Sequence, residues 1–233
     1  MGRPQSIGEG GGMRVALVGQ RSFGAAALRA IVEAGHDVAA VFAPIDDRLD
    51  WEARRLGIPV SAARLTADEL PEGLDLIVCA HAHVIVSDRA LSRTLLGGIG
   101  YHPSLLPRHR GRDAVKWACH MGDPVTGGSI YWLSPRVDGG PIAAADWVMI
   151  RPGTRASDLW REALFPMGVR LIVSVLADLD AGRLVRVPQD EACATWEPSW
   201  DRPPADRPDL PQLTAGADRI AERFTIVTRR DGE

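Results

Sequence analysis

Apolar positions along this chain fall into two alternating kinds of stretch. Arg14–Val18, Val38–Phe42 and Leu74–Ala80 are short continuous runs rich in β-branched residues, the pattern of strands buried on both faces. Between them lie runs of helix formers. Ala25–Ala34 is closed by Gly35 at the position where a left-handed residue ends a helix, and Trp51–Leu56 is closed by Gly57. Asp88–Leu95 follows Ser87, a residue suited to capping the first turn. Ile58–Ser61 adds a short strand. Strand and helix in alternation predict a parallel sheet with right-handed crossovers. After residue 98 the rhythm changes. Ile99–His102 reads as a strand, Asp113–Met121 as a helix, and Gly127–Leu133 and Ala143–Ile150 as two further strands. Thr154–Asp180 predicts one long helix, capped by Thr154 and stopped by Gly182. The predicted class is α/β: a Rossmann-like, mostly parallel sheet flanked by helices.

Composition refines the boundaries. Residues 1–12 are polar and Gly-rich without an apolar run, so they read as a disordered leader rather than a secretory signal. Residues 13–186 carry the alternating pattern and form the expected catalytic domain. Residues 187–233 are Pro-rich, hold Trp196 and Trp200, and read as a short extension with Gly216–Val227 as a final helix or strand. The two tryptophans are expected to pack this extension onto the core rather than to stack on a substrate ring. No apolar run reaches the roughly 18 residues of a membrane span. A net charge of -3 argues against general nucleic-acid or membrane-surface binding. Cys79, Cys119 and Cys193 are widely spaced with no CxxC pair, as in a cytoplasmic protein with reduced thiols and no zinc site.

Two segments concentrate the chemistry: Gly100-Tyr-His-Pro-Ser-Leu-Leu-Pro-Arg-His-Arg-Gly111 and Val137-Asp-Gly-Gly-Pro-Ile142. Alone, a His at a strand end is more often structural, and an Asp-Gly pair is more often an ordinary turn. Together, His102 on a Pro-bounded loop and Asp138 on a Gly-rich loop suit proton shuttling in acyl-type transfer, the carboxylate orienting the imidazole. Arg108, Arg110 and Arg112 form a basic cluster that is either a solvated face or a binding site for an acidic group. His81 and His83 share a face if extended, and line a pocket more readily than they hold a metal, since no third ligand is spaced for one. The turn Gly19–Gly24 is not GxGxxG and predicts no dinucleotide cofactor. It either simply joins strand to helix or shapes a pocket with the backbone of Gly19 and Gln20.

The two segments closely resemble the signature of the folate-dependent formyltransferase family, Asn-x-His-x-Ser-Leu-Leu-Pro followed by Asp-x-Gly. His102, Ser104, Leu105, Leu106, Pro107, Asp138 and Gly140 match; Gly100 stands at the Asn position. The resemblance extends over residues 13 to about 196. It is closest to the N-terminal hydrolase domain of 10-formyltetrahydrofolate dehydrogenase, which also lacks the Asn. Leu17–Gln20 with Phe23 and Gly24, Leu164–Pro166 with Gly168, and Ala194–Trp196 are similar too. The resemblance implies a formyltransferase fold, 10-formyltetrahydrofolate as co-substrate and no metal. His102 and Asp138 would be catalytic. Val84, Ile85, Ser104, Leu105, Gly139 and Gly140 would contact folate, with Gly19, Gln20, Arg108 and Arg110 toward the acceptor or the folate's acidic tail. In the family the Asn stabilises the tetrahedral intermediate, and loss of one such donor typically costs about 2.7–4 kcal/mol of barrier. The implied reaction is formyl transfer to a small-molecule amine. Release of formate to water and non-catalytic folate binding are the alternatives, and a homodimer is one open oligomeric state. Initiator tRNA is not the expected acceptor, because that role usually comes with a basic C-terminal domain, which residues 187–233 do not resemble.

Overall fold

A computed structural model describes residues 11–61 and 65–200. The expected leader up to residue 10 and the expected element Gly216–Val227 lie outside the described residues. Seven strands form one sheet in the order β3-β2-β1-β4-β5-β6-β7. They are β1 (Arg14–Gly19), β2 (Asp37–Phe42), β3 (Val60–Ser61), β4 (Leu76–Ala80), β5 (Gly98–His102), β6 (Val125–Trp132) and β7 (Ile142–Met149). Neighbours from β3 to β5 are parallel, while β6 and β7 add to β5 as an antiparallel pair. The result is the mostly parallel α/β sheet that the sequence pattern predicts.

Strand alternation builds two cores. On β1, Val15 and Leu17 point to one face and Ala16 and Val18 to the other; on β4, Leu76, Val78 and Ala80 oppose Ile77 and Cys79. The first face is covered by α1 (Arg21–Glu33) and α6 (Phe165–Asp180), with Phe23, Leu28, Ile31, Leu171, Ile172 and Val175 buried against the strands. The second is closed by Phe42, Leu70, Leu74 and Ala90.

Several boundaries differ from the pattern, each for a local reason. Helix α1 starts at Arg21 rather than Ala25, because Gln20 alone bridges the strand and the first helical turn. α2 (Arg48–Arg55) starts before Trp51, where the Asp47 carboxylate accepts from the Leu49 amide. α3 spans only Asp88–Leu91, although Ser87 caps it as expected. It stops because the Thr94 hydroxyl donates to main-chain carbonyls and accepts from the Gly97 amide, giving the backbone a turn in place of another helical rung. α4 (Ala114–His120) follows Asp113 in the left-handed region.

The largest correction concerns the long helix. Thr154 does not cap it; its hydroxyl donates to the Arg151 carbonyl, and Arg155 is the cap residue. The segment divides into α5 (Ala156–Leu159), a π turn (Trp160–Leu164) and α6. Pro166 has no N–H to continue the ladder, which is the sequence signal for the break. The Tyr101 phenol on β5 instead donates to the Leu164 carbonyl, at 2.7 Å. Gly168 makes this possible, since a Cβ there would run into the Tyr101 ring and lie 2.8 Å from Phe23. Gly168→Ala is therefore expected to destabilise the protein by about 1–3 kcal/mol, read as a lower denaturant midpoint. An unchanged midpoint would mean the aromatic cluster is looser than its geometry.

Residues 187–200, expected as an extension, run back along the sheet and contact the signature loop. Val187 exchanges backbone hydrogen bonds with Ile142, and Arg110 and Thr195 pair through their main chains. The Trp117 indole donates to the Pro198 carbonyl, and Trp200 packs against Trp117 and His120.

Candidate active site

His102 is the last residue of β5, where the parallel strands end and the chain turns into the Pro-bounded loop. Its Nε2 lies 2.6 Å from the His109 carbonyl oxygen. A carbonyl only accepts, so Nε2 carries the proton and Nδ1 of the neutral ring holds the lone pair. That nitrogen faces Asp138 Oδ2 at 3.5 Å, both side chains being buried. The arrangement presents a base at Nδ1 and an anion that stabilises the imidazolium once Nδ1 takes a proton.

Asp138 is pinned on both oxygens. The Gly111 amide donates to Oδ2 and the Tyr131 hydroxyl to Oδ1, each at 2.7 Å. Its backbone is left-handed at φ 51°, a region Asp tolerates better than most residues. The Gln189 amide donates to the carbonyls of both Asp138 and Gly140, tying the acid loop to the C-terminal strap. Gly140 lies against the Trp132 carbonyl with no room for a Cβ, while Gly139 is half-buried near Arg136 and Arg110.

The signature loop is held from below. The Ser104 hydroxyl donates to the Arg108 carbonyl, and Ser129 on β6 links the Ser104 carbonyl to the Leu106 amide. Leu105 packs over Gly127. Arg108 forms a two-pronged ion pair with Asp123, and Arg110, 1% exposed, is paired with Gln189 and Glu191. Neither guanidinium is a solvated cation waiting for an acidic ligand; Arg112 is the exposed member of the cluster. Ser104, likewise fully buried, spends its hydroxyl on the loop.

His109 sits under the same loop in a left-handed backbone conformation. Its Nε2 donates to Asp123 at 2.8 Å, and Nδ1 lies 3.0 Å from Glu197 Oε2, an ion-pair contact without good hydrogen-bond alignment. Burial opposes charge on this ring, but the two carboxylates outweigh it and raise the pKa. The same cluster lowers the Asp123 pKa against its own burial, through His109 and Arg108.

The remaining predicted residues occupy the other side of the strand ends. Gly19, Gln20 and Val84 line an open cleft with Val18, Phe42 and His83. The Gln20 amide nitrogen is buried and, among the described residues, has no hydrogen-bond partner. Ile85 projects from the loop after β4 with 85% of its surface exposed. His81 and His83 stack edge to face, ring centres 5.2 Å apart. Burial pushes the His81 pKa down to about 4, helped by His83 and Arg21 and opposed by Asp47. Among the described residues no group of three or more His, Cys, Asp or Glu is placed to hold a metal ion.

At Gly100, where the resemblance implies an Asn, the space is taken. A Cβ would lie 3.2 Å from the Tyr131 Cε1, Cζ and hydroxyl oxygen. Sequence reasoning missed Tyr131, His109, Gln189 and Thr195. The alternation on β6 that puts Tyr131 opposite Gly100 was available as a signal. The contacts from residues 189–197 were not, because they join segments far apart in the chain.

The fold and the sequence both have counterparts among known proteins. The human cytosolic 10-formyltetrahydrofolate dehydrogenase is 32% identical over 216 residues, which is 82% of this chain and 24% of that protein. The chain thus spans about a quarter of the length of the curated relatives it matches first. Glycinamide ribonucleotide transformylase 1 from Symbiobacterium toebii superposes with a TM-score of 0.67 at 24% identity, covering 78% of this chain and 95% of that one. An N-formyltransferase from Helicobacter canadensis, solved with folinic acid and dTDP-3-aminofucose, gives 0.66 at 14% identity, covering 79% and 70%. At these identities the structural likeness speaks for the fold. The formyl transferase family model matches residues 13–176, more than half of the sequence and the whole sheet, so the chain belongs to the formyl transferase family.

Proposed function

We propose that this chain moves the formyl group of 10-formyltetrahydrofolate to a small-molecule amine, with His102 as proton carrier and Asp138 as its partner. The observation that carries the reading is the His102 Nδ1 lone pair facing a doubly anchored carboxylate at the strand ends. The exposed Ile85 and the half-buried Val84 offer an apolar face for a flat ring on the loop leaving β4, the strand beside β5. The amine attacks the formyl carbon and gives its proton to Nδ1. The imidazolium, stabilised by Asp138, then protonates folate N10 as that nitrogen leaves. The cleft at Gly19 and Gln20 is the proposed acceptor side. The reading places the enzyme in the cytoplasm without a nucleic-acid or membrane partner.

Hydrolysis is the second reading, and two observations favour it. Gly100 has no side chain to hold the oxyanion, and the relatives first matched are 10-formyltetrahydrofolate dehydrogenases. The experiment separating the two follows tetrahydrofolate absorbance with 10-formyltetrahydrofolate alone and then with a panel of amines. Release that needs an amine supports transfer, and release at the same rate without one establishes hydrolysis. Binding with no release under any condition defeats both.

A further inference from the structure

The Tyr131 side chain is not part of the family signature that the sequence displays, yet it meets both halves of the site. It stands directly across β5–β6 from Gly100, and its ring fills the space that a side chain at 100 would need. Ala at 100 would force the ring to shift by a few tenths of an ångström, and anything longer would displace it. Its hydroxyl ends on Asp138 Oδ1 while the Gly111 amide holds Oδ2. Both oxygens are therefore spoken for before His102 is considered. With the proton on Nε2, His102 Nδ1 and Asp138 Oδ2 are both acceptors and stand 3.5 Å apart; once Nδ1 is protonated, a charge-assisted hydrogen bond of about 2.7–2.9 Å would need the carboxylate to move, against its two donors.

We propose that Tyr131, admitted by the missing side chain at Gly100, is the positioning residue of the proton shuttle. It holds Asp138 at a distance that stabilises protonated His102 without a tight pair closing on the imidazolium. A carboxylate free to swing would pair tightly with the imidazolium and make His102 a weaker donor to the leaving nitrogen. A carboxylate held by two donors shares its charge with them and leaves Nδ1 open to the nucleophile. The hydroxyl suits this task because it keeps its proton: burial first, then the charge and hydrogen bond of Asp138, raise the Tyr131 pKa well above the ordinary tyrosine value. The inference rests on the proposed His102–Asp138 chemistry but adds a residue to it.

The test is Tyr131→Phe in the full chain. Phenylalanine keeps the ring over Gly100 and removes only the donor, so the fold is retained, and a thermal melt verifies this. In ¹⁵N-histidine NMR, with His102 assigned by its absence in His102→Ala, the His102 ring is expected to titrate at higher pH in the variant than in the wild type. This readout needs no acceptor. In the 10-formyltetrahydrofolate assay, kcat is expected to fall ~10- to 100-fold with KM changed by less than about twofold, and the acidic limb of kcat/KM to move to higher pH. Gly100→Val, a good strand former that pushes the ring aside, is expected to move the His102 resonance in the same direction. If Tyr131→Phe leaves the His102 titration and kcat at wild-type values while His102→Ala is inactive, Tyr131 has no positioning role and the proposed function stands. If His102→Ala itself keeps turnover, the reading beneath the inference falls instead.

Discussion

His102→Ala is expected to reduce turnover of 10-formyltetrahydrofolate by ~100- to 10,000-fold, the range of a lost general acid–base group. The argument is geometric. Nε2 is committed to the His109 carbonyl, so Nδ1 is the one ring atom available to a substrate, and Asp138 already stands opposite it to compensate its charge. His109, on the same loop, is occupied by Asp123 and Glu197. The fold is expected to survive, at a cost of about 1–3 kcal/mol for the His109 carbonyl left without its donor. Circular dichroism at the assay temperature separates the two effects. Retention of a tenth or more of wild-type turnover in a folded variant would end the assignment of His102.

The largest loss of stability is expected one loop turn away. His109→Ala leaves Asp123 and Glu197 facing each other across the space of the deleted ring. Glu197 is 4% exposed, and among the described residues neither of its oxygens is well bonded elsewhere. Asp123 keeps Arg108, but Glu197 becomes a buried charge without a partner, and breaking such a pair costs about 3–5 kcal/mol. His109→Gln, which restores a donor to Asp123, is expected to recover part of this. The pH dependence has a definite sign. The folded-state pKa of His109 lies above its ordinary value of 6.5. The part of the ring's contribution that comes from its charge is therefore full below pH 6.5 and fades as pH rises through the folded-state value, while the neutral ring keeps its bond to Asp123. Urea midpoints of wild type and His109→Ala, measured from pH 5.5 upward, should converge. Parallel lines would show that His109 is not charged in the fold.

The sequence pattern was legible where burial is strict. Strands hemmed in on both faces, β1, β2 and β4, announce themselves as continuous apolar runs, and glycines at 35 and 182 mark helix ends that the structure keeps at φ 86° and 74°. The pattern fails where side chains outvote periodicity. Thr94 ends α3 with its hydroxyl, and Pro166 with the Tyr101–Leu164 bond splits the long helix that apolar spacing alone extends. The site divides the same way. His102 and Asp138 stand out because unusual residues crowd on short loops. Arg108 and Arg110 look like ligand-binding cations in the sequence, yet three-dimensional neighbours such as Asp123 and Glu191 neutralise them. Tyr131 looks like an ordinary strand aromatic until the strand register sets it against Gly100.

The antiparallel pair at the end of the sheet also bears on how the site comes into being. His102 belongs to the parallel half, at the end of β5. Asp138 and Tyr131 belong to the β6–β7 hairpin, whose pairing is local to itself. The two halves meet along the β5–β6 ladder and under α6, reinforced by the strap at residues 187–197. Peeling that ladder open would part base from acid while the β1–β4 core stayed folded. The amides of β6 that face β5 are thus the place where hydrogen exchange would report loss of the catalytic pair ahead of global unfolding.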